Sequence, residues 1–476
     1  MRILFVSAEV APFAKVGGLA DVALALPRAL ARLGVEVAVV MPKYRGIAEK
    51  ADLIEVARFS VPVGEDDKEC VAYRATLPAS DVPIYFLGND PYFNRDQIYG
   101  AGGGDYPDSL ERFVFLARGA LSLSEALDWA PEIVHANDWH TSLIPLYLRE
   151  ERTGLMAAKS ILTIHNLAYQ GIFPREQGSV TRLPKKTLQL VEDQGKLNLL
   201  KGGILHADLI TTVSPAYALE IMEHGEGLED ALQSRKDALT GVLNGVDGMV
   251  WDPARDPHLW ASYSSDNFVG KEENKRRIQI ELSLEADPRA PVIGVISRLA
   301  EQKGFDLIIP AFERMMDFGV QFVLLGTGDT NYEDFFREAA RHYPGQVAAL
   351  ITFSEQWAHR IEAAADIFLM PSRFEPCGLN QMYSLHYGTV PVVRATGGLK
   401  DTVCEYDPQT DEGNGFLFTE YTSEAMLAAL QRAIELYRND PQSWHRLVGR
   451  EMREDHSWEA SAKAYLLLYE RMLRAC

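Results

Sequence analysis

A doubly wound α/β architecture, present twice in tandem, is the fold class this sequence predicts. Three observations carry that prediction. Short β-branched runs alternate with longer helical patterns, most strand candidates are apolar at consecutive positions, and the rhythm breaks once near the middle of the 476 residues before restarting. Alternation of this kind builds βαβ units, and continuous apolar runs belong to parallel strands covered on both faces. At roughly 150 to 200 residues per domain the length makes two or three domains.

In order, the first half reads as a strand over 3–7, a helix over 19–33 ended by Gly34, and a strand over 35–41, with further strands over 82–87, 133–135, 160–165 and 209–213. Residues 241–290 then carry glycines, Trp251-Asp252-Pro253 and a polar, charged stretch over 267–277, which places a domain boundary near 245. The second half repeats the plan with strands over 292–297, 321–325, 367–370 and 390–393, and 458–473 has helical spacing. The expected domains are 1–245, 246–455 and a terminal helix over 456–476. Tandem sheets of this class are expected to face a central cleft at the carboxyl ends of their strands, where such folds bind ligands.

Composition narrows the function. The net charge of −20 argues against a general nucleic-acid or anionic-membrane surface, so any bound phosphate must be met by a few placed cations and backbone N–H groups. Cys70, Cys377, Cys404 and Cys476 have no regular spacing, which argues against a disulfide framework or metal knuckle and for a reducing cytoplasm. The first apolar run stops at Ser7 and Glu9, short of a signal-peptide core, and nothing approaches the roughly 18 apolar residues of a membrane span.

One internal echo stands out: Val16-Gly17-Gly18-Leu19-Ala20-Asp21 in the first half and Thr396-Gly397-Gly398-Leu399-Lys400-Asp401 in the second. Each sits where a loop enters a helix, an arrangement whose N–H groups bind anions, although one Gly-Gly pair alone is only a tight turn. Lys15 precedes the first pair as a phosphate partner or a solvated loop lysine. Arg298 and Lys303 follow the strand over 292–297 and suit a leaving diphosphate, the alternative being an ordinary surface pair. Glu375 follows the strand over 367–370, either facing the ligand or capping the next helix, and Cys377 reads as a small buried hydrophobe. His165-Asn166 and His135-Ala136-Asn137-Asp138-Trp139-His140 end two first-half strands and offer the mixed donors and acceptors that sugar hydroxyls need. His135 and His140 lack an obvious third metal ligand, and Tyr99 either stacks on a sugar or packs beneath its loop.

Together these motifs resemble the bacterial glycogen synthases. The resemblance runs from Lys15–Asp21 through Asp138-Trp139-His140, 163–171, Asn244-Gly245-Val246-Asp247, 297–304 and 373–379 to 396–399. It implies a retaining glycosyltransferase of GT-B type with two Rossmann-like domains, ADP-glucose as donor, and glycogen or another α-1,4-glucan as acceptor. No cofactor and no metal are implied. The second domain is expected to hold the donor, the first the acceptor, and the terminal helix to cross back to the first.

Residue by residue, the resemblance implies that Arg298 and Lys303 neutralise the diphosphate, assisted by Lys15, Gly17, Gly18, Thr396, Gly397 and Gly398. His165 contacts the transferred glucose, Glu375 binds or supports it, and Cys377, Gly378 and Leu379 lie nearby. Asn244, Asp138, Asp21 and Tyr99 line the sugar site, and Phe353 stands where the family stacks an aromatic on adenine. Many relatives place a second carboxylate eight residues after the first; here that position is Tyr383, which removes a two-glutamate ribose clamp. UDP-glucose as donor and a non-catalytic sugar-binding relative are the alternatives.

Overall fold

Consecutive apolar positions of the first strand are consecutive buried positions: Ile3, Leu4, Phe5 and Val6 of β1 (Arg2–Val6) are all shielded from solvent. The structure, a computed structural model, describes residues 1–101, 104–150, 155 and 157–474. It divides into two units, Met1–Asn244 with Trp458–Cys476, and Gly245–Ser457.

The first unit is built on nine strands: β1, β2 (Glu36–Pro42), β3 (Ile54–Val63), β4 (Asp66–Thr76), β5 (Pro83–Gly88), β6 (Ile133–Asn137), β7 (Lys159–Ile164), β8 (Leu209–Thr212) and β9 (Leu239–Gly241). Their order is β9-β8-β7-β6-β1-β2-β5-β4-β3. Pairing is parallel from β9 to β5, and β4 and β3 add an antiparallel hairpin at the edge. Helix α1 (Gly18–Arg32) covers one face with ten buried side chains, and Gly34, at φ 83°, turns the chain into β2 in the left-handed region where glycine has no steric cost.

The second unit has six strands, β10 (Val292–Ile296), β11 (Gln321–Leu325), β12 (Val347–Leu350), β13 (Ile367–Met370), β14 (Val390–Arg394) and β15 (Phe416–Phe418), ordered β12-β11-β10-β13-β14-β15 and all parallel. Its main core gathers Phe305, Phe312, Phe322, Phe336 and Leu430 around the sheet. The charged stretch expected as a break in structure is instead largely a helix, α2 (Val269–Glu281). The terminal helix α3 (Trp458–Arg474) packs on α1, and Tyr469 Oη lies 2.7 Å from His135 Nδ1 in the first sheet.

In each sheet the order reverses at the first strand. β1 lies between β2 and β6, and β10 between β11 and β13, so the loops after β1 and β6, and after β10 and β13, diverge at a switch point where α/β sheets bind ligands. Cys70 and Cys377 are buried free thiols, Cys404 is an exposed one, and Cys476 lies outside the described residues. Among the described residues no helix is long and apolar enough to cross a membrane, and no group of three or more His, Cys, Asp or Glu could hold a metal ion.

Candidate functional site

Each switch point carries a cluster of polar side chains. In the first unit, Asp138 follows β6 with φ at 55°, a strained value for a residue with a Cβ. The strain aims its carboxylate across to the end of β7, where Oδ1 accepts the His165 N–H at 2.7 Å. Burial pushes the Asp138 carboxyl up to about 7, against the pull of the His165 and Asn166 N–H groups.

Asn137 fixes the His165 ring. Its Nδ2 donates to the Val6 carbonyl at 3.0 Å, so Oδ1 faces His165 Nε2 at 2.9 Å and that nitrogen carries the proton. Nδ1 keeps its lone pair. Burial pulls the imidazole down to about 3, so it is neutral near pH 7. A neutral ring with one donor and one acceptor suits a sugar hydroxyl better than an imidazolium would.

The first Gly-Gly loop is arranged differently from the anion cradle expected. The Val16 and Gly17 N–H groups donate to Oε2 of Glu9, at 2.5 and 3.0 Å, rather than standing open. Lys15 is 51% exposed and pairs with Asp21 at 2.7 Å. A Cβ on Gly17 would meet nothing within 4 Å, so the space beside the loop is open. Tyr99 is half-buried: its ring stacks on His140, its hydroxyl donates to Glu9, and burial holds its ionisation well above the usual tyrosine value. Asn244 is buried at the last position of this unit's main segment.

In the second unit, Lys303 follows β10 and Glu375 follows β13, and the two meet at 2.6 Å in a largely buried ion pair. Ser372 Oγ donates to the same carboxylate oxygen at 3.1 Å. Arg298 is exposed and has no side-chain partner among the described residues, so one cation of the cluster is neutralised and the other is open.

The second Gly-Gly pair serves close approach. Gly397, at φ 44°, and Gly398 lie so near the Glu375 loop that a Cβ would sit 2.1 Å from the Glu375 and Cys377 carbonyl oxygens respectively. The Gly398 N–H donates to the Glu375 and Pro376 carbonyls at 3.1 and 3.2 Å. The expectation of an open nest is corrected here too: this N–H holds the loop that carries Glu375. Thr396 is the N-cap residue of the short helix Gly397–Thr402, and Cys377 is buried beside the pair. Gly378, at φ 71°, turns the chain toward Leu379, the N-cap residue of the helix Asn380–His386.

Phe353 projects from the loop after β12 and is 89% exposed, an apolar face for a planar partner. Tyr383 is stacked on Trp251 at 3.9 Å. Sequence reasoning missed Glu9 and Ser372, and had Asn137 only as one of the strand-end polar groups; the signal for Glu9 was a carboxylate interrupting the apolar sequence that precedes Lys15.

A family model described as the starch synthase catalytic domain matches residues 2–234, and one for glycosyl transferases group 1 matches residues 277–447. Glycogen synthases of Anaeromyxobacter dehalogenans and Thermosipho melanesiensis are 48% and 44% identical to this chain, over 99% of its length and 100% and 99% of theirs. The catalytic domain of starch synthase IV from Arabidopsis thaliana, solved with ADP and acarbose, matches with TM-score 0.90 at 34% identity, covering 99% of both chains. Sucrose-phosphate synthase from Thermosynechococcus elongatus, at TM-score 0.61 and 17% identity over the full length of both, shares the fold alone.

Proposed function

The chain belongs to the glycogen synthase family of GT-B glycosyltransferases, and from that premise we propose that it transfers glucose from ADP-glucose to the non-reducing 4-hydroxyl of an α-1,4-glucan with retention of configuration. The observation that carries the reading is the cluster at the second switch point: the Lys303–Glu375 pair, on loops that meet where a Cβ on Gly304 would sit 2.0 Å from the Pro371 carbonyl oxygen, with an open Arg298 on the same loop as Lys303. ADP as the leaving group is supported by the starch synthase solved with it and by the exposed Phe353 ring, which suits a planar base.

In the proposed reaction the bond between the anomeric carbon and the diphosphate oxygen breaks, and the bond to the acceptor oxygen forms on the same face. The acceptor proton passes to the departing phosphate oxygen. Arg298 and Lys303 stabilise the negative charge that develops there, each worth about 3 kcal/mol by analogy with deletion of an oxyanion donor. Lys303 exchanges Glu375 for phosphate, and the released carboxylate supports the positive charge on the sugar. Lys15 adds a third cation at the diphosphate. Neutral His165, with Asp138 behind its backbone, hydrogen-bonds the transferred glucose, while Asn244 and Asp21 line the sugar site. The acidic protein presents no electrostatic obstacle to a neutral glucan.

The test supplies ADP-glucose and UDP-glucose separately, with and without glycogen, and measures nucleoside diphosphate release and chain extension. Faster ADP release that requires glycogen is expected. Preferential UDP release would reassign the donor, and no release from either would leave a sugar-binding protein. A glycosyl adduct trapped on Glu375 would replace same-face transfer with double displacement.

A further inference from the structure

Glu9 belongs to none of the motifs above, yet its carboxylate is engaged on every side at the end of β1. It is 4% exposed. Oε2 accepts the Val16 and Gly17 N–H groups, and Oε1 accepts the Tyr99 hydroxyl. Its backbone is held as well: Ser7 Oγ donates to the Glu9 carbonyl at 2.6 Å and accepts its N–H at 3.2 Å. Two amides converging on one anionic oxygen is the geometry by which Gly-rich loops hold phosphates. Here the anion is internal.

We propose that Glu9 is a positioning residue for donor binding: its buried carboxylate occupies the amide cradle of the 15–17 loop and so fixes the backbone from which Lys15 reaches the donor's diphosphate. With Val16 and Gly17 committed to Glu9, this loop meets phosphate through the Lys15 ammonium and not through those amides. A loop ordered before the ligand arrives spares the complex the cost of ordering it, which appears as affinity for that ligand alone. The inference rests on the reading of Lys15 as a donor contact.

The test compares the full-length enzyme with Glu9→Ala, Glu9→Gln and Lys15→Ala, varying ADP-glucose at saturating glycogen and then the reverse. Glu9→Ala is expected to raise the donor KM about tenfold, the scale of losing hydrogen bonds to a charged group, with the glucan KM within about twofold. Added formate, a carboxylate small enough to enter the vacated space, is expected to recover part of that loss. Glu9→Gln, whose amide oxygen can accept both N–H groups, is expected to stay within about threefold. A raised donor KM for Lys15→Ala with an unchanged one for Glu9→Ala would overturn the inference and leave the Lys15 reading standing. An unchanged donor KM for Lys15→Ala would remove that reading itself. Equal rises in both KM values for Glu9→Ala without formate recovery would mark Glu9 as purely structural and overturn the proposal. If Glu9→Ala does not fold, hydrogen exchange of the wild-type protein decides: slow exchange at Val16 and Gly17 without donor is expected, and exchange at exposed-loop rates overturns it.

Discussion

Lys303 and Arg298 occupy one loop and carry the same charge, yet the structure treats them differently: Lys303 is held by Glu375 and Arg298 is open. Lys303→Ala is expected to lower turnover by about two orders of magnitude, corresponding to about 3 kcal/mol of lost transition-state stabilisation. Turnover near wild type would remove Lys303 from the proposed mechanism. Glu375→Gln separates binding from chemistry. Without the competing carboxylate, Lys303 meets the diphosphate with no ion pair to break, so donor affinity measured by calorimetry should hold or tighten while turnover falls. Weaker donor binding in this variant would refute the exchange of partners. Strand-end logic made these residues, and His165, legible in the sequence. Glu9 was not, because its partners are backbone amides seven and eight positions on and a tyrosine ninety positions away, and amides carry no sequence signal.

The two Gly-Gly elements read alike in sequence and differ in packing. Gly17 faces open space, so Gly17→Ala should change stability by no more than about 0.5 kcal/mol. Gly398 lies against Cys377, so Gly398→Ala forces the Glu375 loop away and should cost about 1–3 kcal/mol and most of the activity. Thermal unfolding of both variants checks this; equal effects would contradict it. Buried parallel strands announced themselves as apolar runs, but two elements gave no such signal. β3 is a largely exposed edge strand, with its buried positions confined to its end. Helix α2 buries Asn274, Lys275 and Gln279 along with Gly270 and Ile278, so no apolar stripe marks its period. Lys275 and Asp366 pair there at 2.7 Å, a tertiary contact that lets a charged stretch fold as a helix.

Across the whole molecule, buried titratable groups divide by unit, and that division predicts opposite responses to acid. Stability rises with pH wherever the unfolded chain holds more protons than the folded one. In the first unit, burial pulls His135, His140 and His165 down to about 3 and lowers His206 as well, so their contribution is present above pH 6.5 and is lost as pH falls toward 3. Asp138, pushed up to about 7, works the other way: its contribution is present below its ordinary value near 4 and lost as pH rises through 7. Several histidines outweigh one carboxyl, so this unit should weaken on acidification from about pH 6.5 to 5, the window in which unfolded histidines gain protons. In the second unit the balance reverses. Burial raises the Glu362 and Glu451 carboxyls well above their ordinary range, which favours the folded state in acid, and the lowered His386 opposes them. Hydrogen exchange at the two pH values, corrected for intrinsic rates, should show protection falling in β1, β6 and β7 while β10, β13 and β14 hold or gain. A parallel fall in both sheets would mean that the buried histidines do not set the acid sensitivity of the first unit.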